Sequence, residues 1–171
     1  MLTLIIGENG SGKSVYAENL ACRAGGARCY IATMIPHGAE GAARVEKHLH
    51  QREGRGFTTL ELPYALGSAA VPPDAAVLLE DVSNLLSNSM FARGGTAAEV
   101  LADIAALHKR CRILVVVTIG GLDASSYEGE TRGYIEALNA LNTALFGLAD
   151  TVVEMKDGIP QLKKGEDDAL A

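Results

Sequence analysis

The sequence has no surplus of positive charge. Its 171 residues include 15 lysines and arginines against 21 aspartates and glutamates, which gives a formal net charge of −6 and a pI near 5.2. Such a surface is poorly suited to nucleic acid or to anionic membranes, although a local basic cluster could still hold a small phosphorylated ligand. We therefore expect a cytoplasmic protein that does not bind nucleic acid.

Cysteine is also scarce. Cys22, Cys29 and Cys111 are odd in number, include no C-x-x-C pair and have no histidines nearby at the spacing of zinc ligands. This pattern argues against a disulfide framework and against a zinc site. We expect reduced, partly buried thiols.

Long apolar runs are absent as well. No window approaches the roughly 18 uncharged apolar residues of a membrane helix, and the first apolar run, 2–6, lacks the basic leader of a signal peptide. We expect neither a membrane span nor a signal peptide. With 48% hydrophobic residues and no internal repeat, the chain predicts one domain, 1–171, with one core and a frayed tail, 165–171.

Short apolar runs alternate with helical patterns, which is typical of an α/β domain with a mostly parallel sheet covered on both faces. The runs "AVLLE" (76–80) and "RILVVVT" (112–118) are nearly continuous, so they predict central strands. Asp157-Gly158 lies between two extended runs and predicts a terminal antiparallel hairpin. The other predicted strands are 2–6, 29–33, 58–62 and 151–155.

Five segments predict helices. The clearest is 130–148, where five residues recur at three- and four-residue spacing on one face: Tyr134, Leu138, Leu141, Leu145 and Leu148. Segment 39–53 differs, because its charged residues leave almost no apolar stripe. The other predicted helices are 13–24, about 82–92 and 96–109.

The stretch "GENGSGKS" follows the first strand and fits the pattern G-x-x-x-x-G-K-[ST] at every fixed position. In such a loop backbone N–H groups face the phosphates, and the following helix adds the partial positive charge of its N-terminus. Its lysine neutralises the β and γ oxygens, and its serine binds Mg²⁺. The stretch therefore predicts a triphosphate cradle, with ATP or GTP as substrate, formed by Gly7, Glu8, Asn9, Gly10, Ser11, Gly12, Lys13 and Ser14.

A phosphate cradle also needs a carboxylate on the metal side, at the end of a neighbouring buried strand. The end of "AVLLED" offers Glu80 and Asp81. Because Asp81 would also make a good N-cap for the helix that follows, Glu80 is the favoured metal-side group, and sharing of the metal by both remains open. The predicted metal ligands are Ser14, Glu80 and Asp81.

Segment 42–63 carries a local cationic surface in an otherwise acidic protein. On a helix, Arg44, Lys47 or His48, and Gln51 or Arg52 fall on related faces. Such a surface suits a triphosphate. The charge pattern alone, however, is more typical of an ordinary solvated helix.

The order in which the motifs follow one another along the chain is a further indication, because it resembles that of a known family. The cradle is followed by "YIAT" (30–33), by R-x-x-x-H-x-x-x-R formed by Arg44, His48 and Arg52, and by "LLE" (78–80). This series resembles the bifunctional adenosylcobinamide kinase/adenosylcobinamide-phosphate guanylyltransferase family of cobalamin biosynthesis, over essentially the whole chain. The histidine block is far more specific than the cradle, which many kinases, ATPases and transporters share.

The resemblance implies a RecA-like P-loop fold, a homotrimer, a corrinoid substrate and two reactions. A nucleoside triphosphate phosphorylates adenosylcobinamide, and GMP then passes from GTP to the product through a guanylylated histidine, here His48, with Lys13 as the second catalytic residue. Neutral imidazole is the competent nucleophile, so we expect no close carboxylate to hold His48 protonated. Beyond the cradle, the resemblance implies a nucleotide site of Ile31, Ala32, Thr33, Leu49, His50, Gln51, Arg52, Glu61 and Glu80.

Two features leave alternatives open. His50 is the local rival of His48, about 200° away on a helix, and only the match of Arg44 and Arg52 on either side favours His48. Where the family continues with Asn-Glu after a central strand, this chain has Ile119-Gly120, and Asp81 stands where the family often has Cys. A P-loop kinase of another small hydroxylated substrate, or a relative that has lost one or both activities, is the competing interpretation.

Overall fold

The computed structural model describes residues 1–166, and the predicted frayed tail lies largely outside this range. One seven-stranded sheet runs through the described residues, with five helices around it. The strands are β1 (Leu2–Gly7), β2 (Arg28–Ala32), β3 (Phe57–Glu61), β4 (Ala76–Glu80), β5 (Ile113–Ile119), β6 (Thr151–Lys156) and β7 (Ile159–Lys164). The helices are α1 (Lys13–Arg23), α2 (Gly38–Arg52), α3 (Val82–Arg93), α4 (Ala97–His108) and α5 (Gly129–Leu148).

The strand order is β3-β2-β4-β5-β1-β6-β7. All neighbouring pairs are parallel except β6 and β7, which form the predicted antiparallel hairpin. The mostly parallel α/β fold is therefore confirmed. The carboxyl ends of the parallel strands meet at one edge of the sheet, which is where open α/β sheets bind ligands.

Continuous apolar strands supply both faces of the sheet, because successive side chains on a strand point to opposite sides. On β1, Leu4 joins the core beneath α3, α4 and α5, whereas Ile5 joins the core beneath α1. On β5, Val116 and Val117 divide in the same way. The predicted central positions of β4 and β5 are confirmed.

Helix α5 has the predicted apolar face with one correction. Leu138, Leu141 and Leu145 are buried, but Leu148 is 38% exposed, and Ile135 is buried instead. Leu148 is the last helical residue, where the chain turns away into β6.

Cys29 and Cys111 are buried, Cys22 is partly exposed, and all three are free thiols, as predicted. Within residues 1–166, no helix is both long and apolar enough to cross a bilayer.

Candidate functional site

A cleft of about 320 Å³ opens at the carboxyl edge of the sheet, between the loop after β1 and helix α2. This volume lies at the lower end of the range for small-molecule sites. Twelve of the predicted site residues line the cleft: Asn9, Gly10, Ser11, Gly12, Lys13, Ser14, Ala32, His48, Gln51, Arg52, Glu80 and Asp81.

The loop after β1 has the backbone of a phosphate cradle. Gly10 and Gly12 have φ of +76° and +88°, in the left-handed region that glycine adopts at no steric cost. Gly12 is the N-cap of α1, so the helix points its N-terminus into the cleft. The ammonium of Lys13 donates to the carbonyl of Glu8 at 2.6 Å, and the lysine side chain is nearly buried. Together, the glycine conformations, the helix N-terminus and the position of Lys13 give the loop the structure of a phosphate cradle.

Gly7 has a different reason to be glycine. A Cβ built there would lie 2.5 Å from the carbonyl oxygen of Met155 and 2.7 Å from Oγ of Ser11. The loop therefore leaves β1 in direct contact with β6, with no room for a side chain.

Ser14 and Glu80 meet at the floor of the cleft. The hydroxyl of Ser14 donates to Oε1 of Glu80. The pKa of Glu80 is raised to about 7, chiefly by burial and also by the charges of Asp81 and Glu18, against the opposing effect of hydrogen bonds from the hydroxyls of Ser14 and Tyr30. Oε2 of Glu80 is buried and makes no well-aligned hydrogen bond within residues 1–166.

Asp81 caps α3, as the sequence indicated. Its Oδ1 accepts from the backbone N–H of Asn84 at 2.8 Å and from the hydroxyl of Ser83 at 2.6 Å. The peptide bond between Glu80 and Asp81 is cis. Because the cap occupies one oxygen of Asp81, Glu80 is the better placed of the two carboxylates to hold a cation.

The residues present fit Mg²⁺. A hydroxyl and a carboxylate with a buried, unsatisfied oxygen lie side by side next to the phosphate cradle. These hard oxygen donors are the ligand type that Mg²⁺ prefers, and Mg²⁺ commonly binds through one or two protein ligands plus substrate phosphates.

His48 lies on the face of α2 that turns toward the cradle, and it is half-buried. One of its ring nitrogens and one carboxylate oxygen each from Glu18 and Glu80 all lie within 4.8 Å of one another. Carboxylates are therefore closer to His48 than the sequence led us to expect. His50 is 71% exposed on another side of the helix, beside Glu46 and Glu53.

Arg52, at the end of α2, supplies a positive charge to the same cleft. Its side chain is 7% exposed, and its guanidinium carbon lies 3.4 Å from the centroid of the Tyr30 ring, a cation–π contact. Nε and Nη1 are buried and make no hydrogen bond to the described residues. Unsatisfied guanidinium N–H groups beside a phosphate cradle suit an anionic ligand.

Several predicted residues do not line this cleft. Gly7 and Glu8 face a second pocket, of about 360 Å³, on the other side of the cradle. Ile31 and Thr33 are fully buried, and the Thr33 hydroxyl hydrogen-bonds the backbone of Asp81. The remaining three are exposed: Leu49, His50 and Glu61.

Packing explains part of the Ile119-Gly120 sequence at the end of β5, where the chain departs from the Asn-Glu of the family. A Cβ on Gly120 would lie 2.5 Å from Cγ1 and 2.8 Å from Cδ1 of Ile6, so the present packing admits only glycine. Ile119 places an apolar side chain in the wall of the cleft.

Glu18 is not among the residues predicted from the sequence, and its side chain is fully buried between α1 and α2. Burial raises its pKa, while Gln51, Arg55 and Arg52 lower it. One signal was available, because Glu18 follows Ser14 by four residues and so shares its helix face. Met34, Val45 and Asn84 also line the cleft and had no such signal, whereas Tyr30 begins the motif "YIAT" but was not assigned to the site.

Comparisons with known proteins agree with this geometry. The chain is 28% identical over 180 aligned positions to the "Bifunctional adenosylcobalamin biosynthesis protein CobU" of Salmonella typhimurium, covering 93% of this chain and 97% of that protein. A solved "prototypical ATPase from the type III secretion system of pathogenic bacteria" matches with a TM-score of 0.52 at 12% identity. That match covers 99% of this chain but 60% of the ATPase chain, and it shows a shared fold alone.

A family model described as "Cobinamide kinase / cobinamide phosphate guanyltransferase" matches residues 3–162, which is nearly the whole chain. The resemblance drawn from the ordered motifs is thereby confirmed. The chain belongs to the CobU family of cobinamide kinases and cobinamide phosphate guanyltransferases of cobalamin biosynthesis.

Proposed function

We propose that this protein phosphorylates adenosylcobinamide with a nucleoside triphosphate and then transfers GMP from GTP to the product through a guanylylated His48. The observation that carries the proposal is that His48 and the phosphate cradle line one cleft. A plain kinase needs no histidine there, whereas a covalent nucleotide transfer does.

In the kinase step the cradle holds the triphosphate through its backbone N–H groups and the N-terminus of α1. Lys13 leaves the carbonyl of Glu8 to neutralise the β and γ oxygens, and the substrate hydroxyl attacks the γ-phosphorus. The bond from that phosphorus to the β,γ-bridging oxygen breaks, the nucleoside diphosphate leaves with the electron pair, and the hydroxyl proton passes to solvent. Ser14 and Glu80 would hold Mg²⁺, which supplies charge neutralisation at the phosphates when bound. Positioning and electrostatics account for most of such a reaction.

In the transfer step a lone pair on the His48 ring attacks the α-phosphorus, and the bond from that phosphorus to the bridging oxygen breaks. Pyrophosphate leaves with the electron pair, while Lys13 and Arg52 offset its charge. An oxygen of the cobinamide phosphate then attacks the same phosphorus, and the phosphorus–nitrogen bond breaks. Covalent catalysis thus divides one difficult transfer into two easier ones.

The test is a labelling experiment with Mg²⁺ and GTP labelled at the α-phosphate. We expect a protein adduct that survives alkali and is lost in acid, present in the wild type and in His50→Ala and absent in His48→Ala. His50 is the matched control, because it lies two residues away with an exposed side chain. An unlabelled wild type would rule out the guanylyl transfer.

The kinase half needs its own assay with adenosylcobinamide, in which Lys13→Ala should abolish phosphorylation. One observation favours the alternative of a kinase with another small hydroxylated substrate: Ile119 puts an apolar side chain in the wall of the cleft, and Gly120 puts a position without a side chain in the second pocket. Turnover of other hydroxylated acceptors, with none of adenosylcobinamide, would support that alternative.

We further infer a homotrimer from the family resemblance, to be tested by light scattering after size-exclusion chromatography.

A further inference from the structure

We propose that the buried carboxylate of Glu18 positions the His48 imidazole for guanylyl transfer. This inference rests on the proposed function of His48. Glu18 would be a positioning residue, because it acts through the ring rather than on the nucleotide.

Glu18 is unusual because it is a fully buried carboxylate in the middle of α1. Neither of its oxygens accepts a well-aligned hydrogen bond within the described part of the chain. A buried charged group is costly unless it is paired, so such a side chain calls for a functional or structural reason. Its oxygen lies within 4.8 Å of a ring nitrogen of His48.

Glu80, the other carboxylate near the ring, has a different partner. It accepts the hydroxyl of Ser14 next to the cradle, where the phosphates and Mg²⁺ would bind. Glu18 does not line the cleft, and the groups that act on its carboxylate are Gln51 and Arg52 of α2 and the nearby Arg55. It is therefore the carboxylate left to interact with His48.

The charges around Glu18 argue against a resident metal ion at this cluster. Nη1 of Arg55 lies 3.6 Å from Oε2 of Glu18 and also donates to Oδ1 of Asn19 at 2.8 Å. The guanidinium already balances the carboxylate charge and repels a cation. It also lets Glu18 stand beside His48 without requiring a protonated ring.

The carboxylate would assist the reaction in two ways. When the two groups close from their present separation to hydrogen-bond distance, the carboxylate holds the ring N–H on the nitrogen that faces it, so the other nitrogen keeps the lone pair that attacks the α-phosphorus. As pyrophosphate leaves, the ring of His48 becomes positively charged, and the adjacent carboxylate stabilises that charge with the proton remaining on the ring. When the phosphorus–nitrogen bond breaks in the second half-reaction, the ring returns to its neutral form.

The experiment compares Glu18→Gln with the wild type in three measurements: the single-turnover rate of protein labelling from α-labelled GTP, the kinase rate, and the tautomer of His48. The tautomer is read from ¹⁵N-histidine NMR at a pH where the ring is neutral, with His48→Ala to assign the signals. We expect labelling about 10²-fold slower, within the ~10⁴-fold limit seen when an orienting aspartate is lost. The kinase rate should be unchanged, and the tautomer ratio should shift.

The matched control is Glu46→Gln, since Glu46 is a 73% exposed acid on α2 that does not line the cleft, and it should match the wild type in all three measurements. Should the glutamine variant fold poorly, Glu18→Asp keeps the charge but withdraws the carboxylate from the ring, and it should also label slowly.

Wild-type labelling by Glu18→Gln would overturn the inference and leave the proposed function standing. A parallel fall of both reactions with an unchanged tautomer would also overturn it, because that pattern indicates a structural role. If the wild type itself fails to label, the guanylyl transfer is wrong, and the tautomer ratio alone then decides whether Glu18 orients the ring.

Discussion

Replacing Gly120 with alanine should destabilise the protein and disturb the start of the phosphate cradle. The new Cβ would lie 2.5 Å from Cγ1 and 2.8 Å from Cδ1 of Ile6. The N–H of Gly120 also donates to the carbonyl of Gly7 at 3.2 Å. The methyl group must therefore displace either a β-branched side chain on β1 or the residue at which the cradle begins.

The magnitude follows from two opposing terms. Forcing an extra carbon into a packed site costs about 1–3 kcal/mol. Gly120 has no positive φ, so the alanine gains about 0.4–1 kcal/mol from the lower entropy of the unfolded chain. We expect a net loss of roughly 1–2 kcal/mol in the free energy of unfolding.

The assay is chemical denaturation followed by circular dichroism, in the wild-type and Ile6→Ala backgrounds. With Ile6 truncated, the penalty for alanine at position 120 should fall to zero or reverse. Gly133→Ala is the control, because Gly133 is an exposed glycine within α5 with open space around it; alanine there should stabilise the protein by about 0.5–1 kcal/mol. An equal penalty in both backgrounds, or no penalty in either, would refute the steric argument.

Substitutions at two further positions, Asp81 and Arg55, test side chains in and beside the cleft. Asp81→Ala removes the α3 cap and should lower stability by about 1–2 kcal/mol, while Asp81→Asn should not; if Glu80 is the metal-side carboxylate, a titration of nucleotide binding against Mg²⁺ should be unchanged in Asp81→Asn. Arg55→Ala leaves the Glu18 carboxylate buried without its cation and should cost about 1.5–3 kcal/mol in urea denaturation. Arg132→Ala, which breaks an exposed pair, should change stability far less, and equal effects of the two arginine variants would contradict this ranking.

The fold could be predicted from the sequence because its signals are local. Continuous apolar runs marked β4 and β5 as central strands, and Asp157-Gly158 marked the hairpin, since each pattern reflects the environment of a single segment. The error at Leu148 arose where a periodic pattern reaches a helix end, because periodicity gives the face of a residue but not the layer that covers it.

The candidate site was only partly predictable. The pattern from Gly7 to Ser14 determined the cradle by itself, because a glycine-rich loop between a strand and a helix encodes its own conformation. The motif around His48 indicated the family, since an ordered series of residue types can be recognised without knowledge of their contacts.

Tertiary structure decided which partner each carboxylate meets. Glu80 and Asp81 are adjacent in sequence, and only the packing of β4 against α1 and α3 shows that one meets Ser14 while the other caps a helix. In the sequence Glu18 is an ordinary helical acid, and only the tertiary structure shows that it is buried beside α2 and Arg55. Such partners lie dozens of residues apart, so the sequence alone determined the chemical groups available, and the fold determined which of them meet.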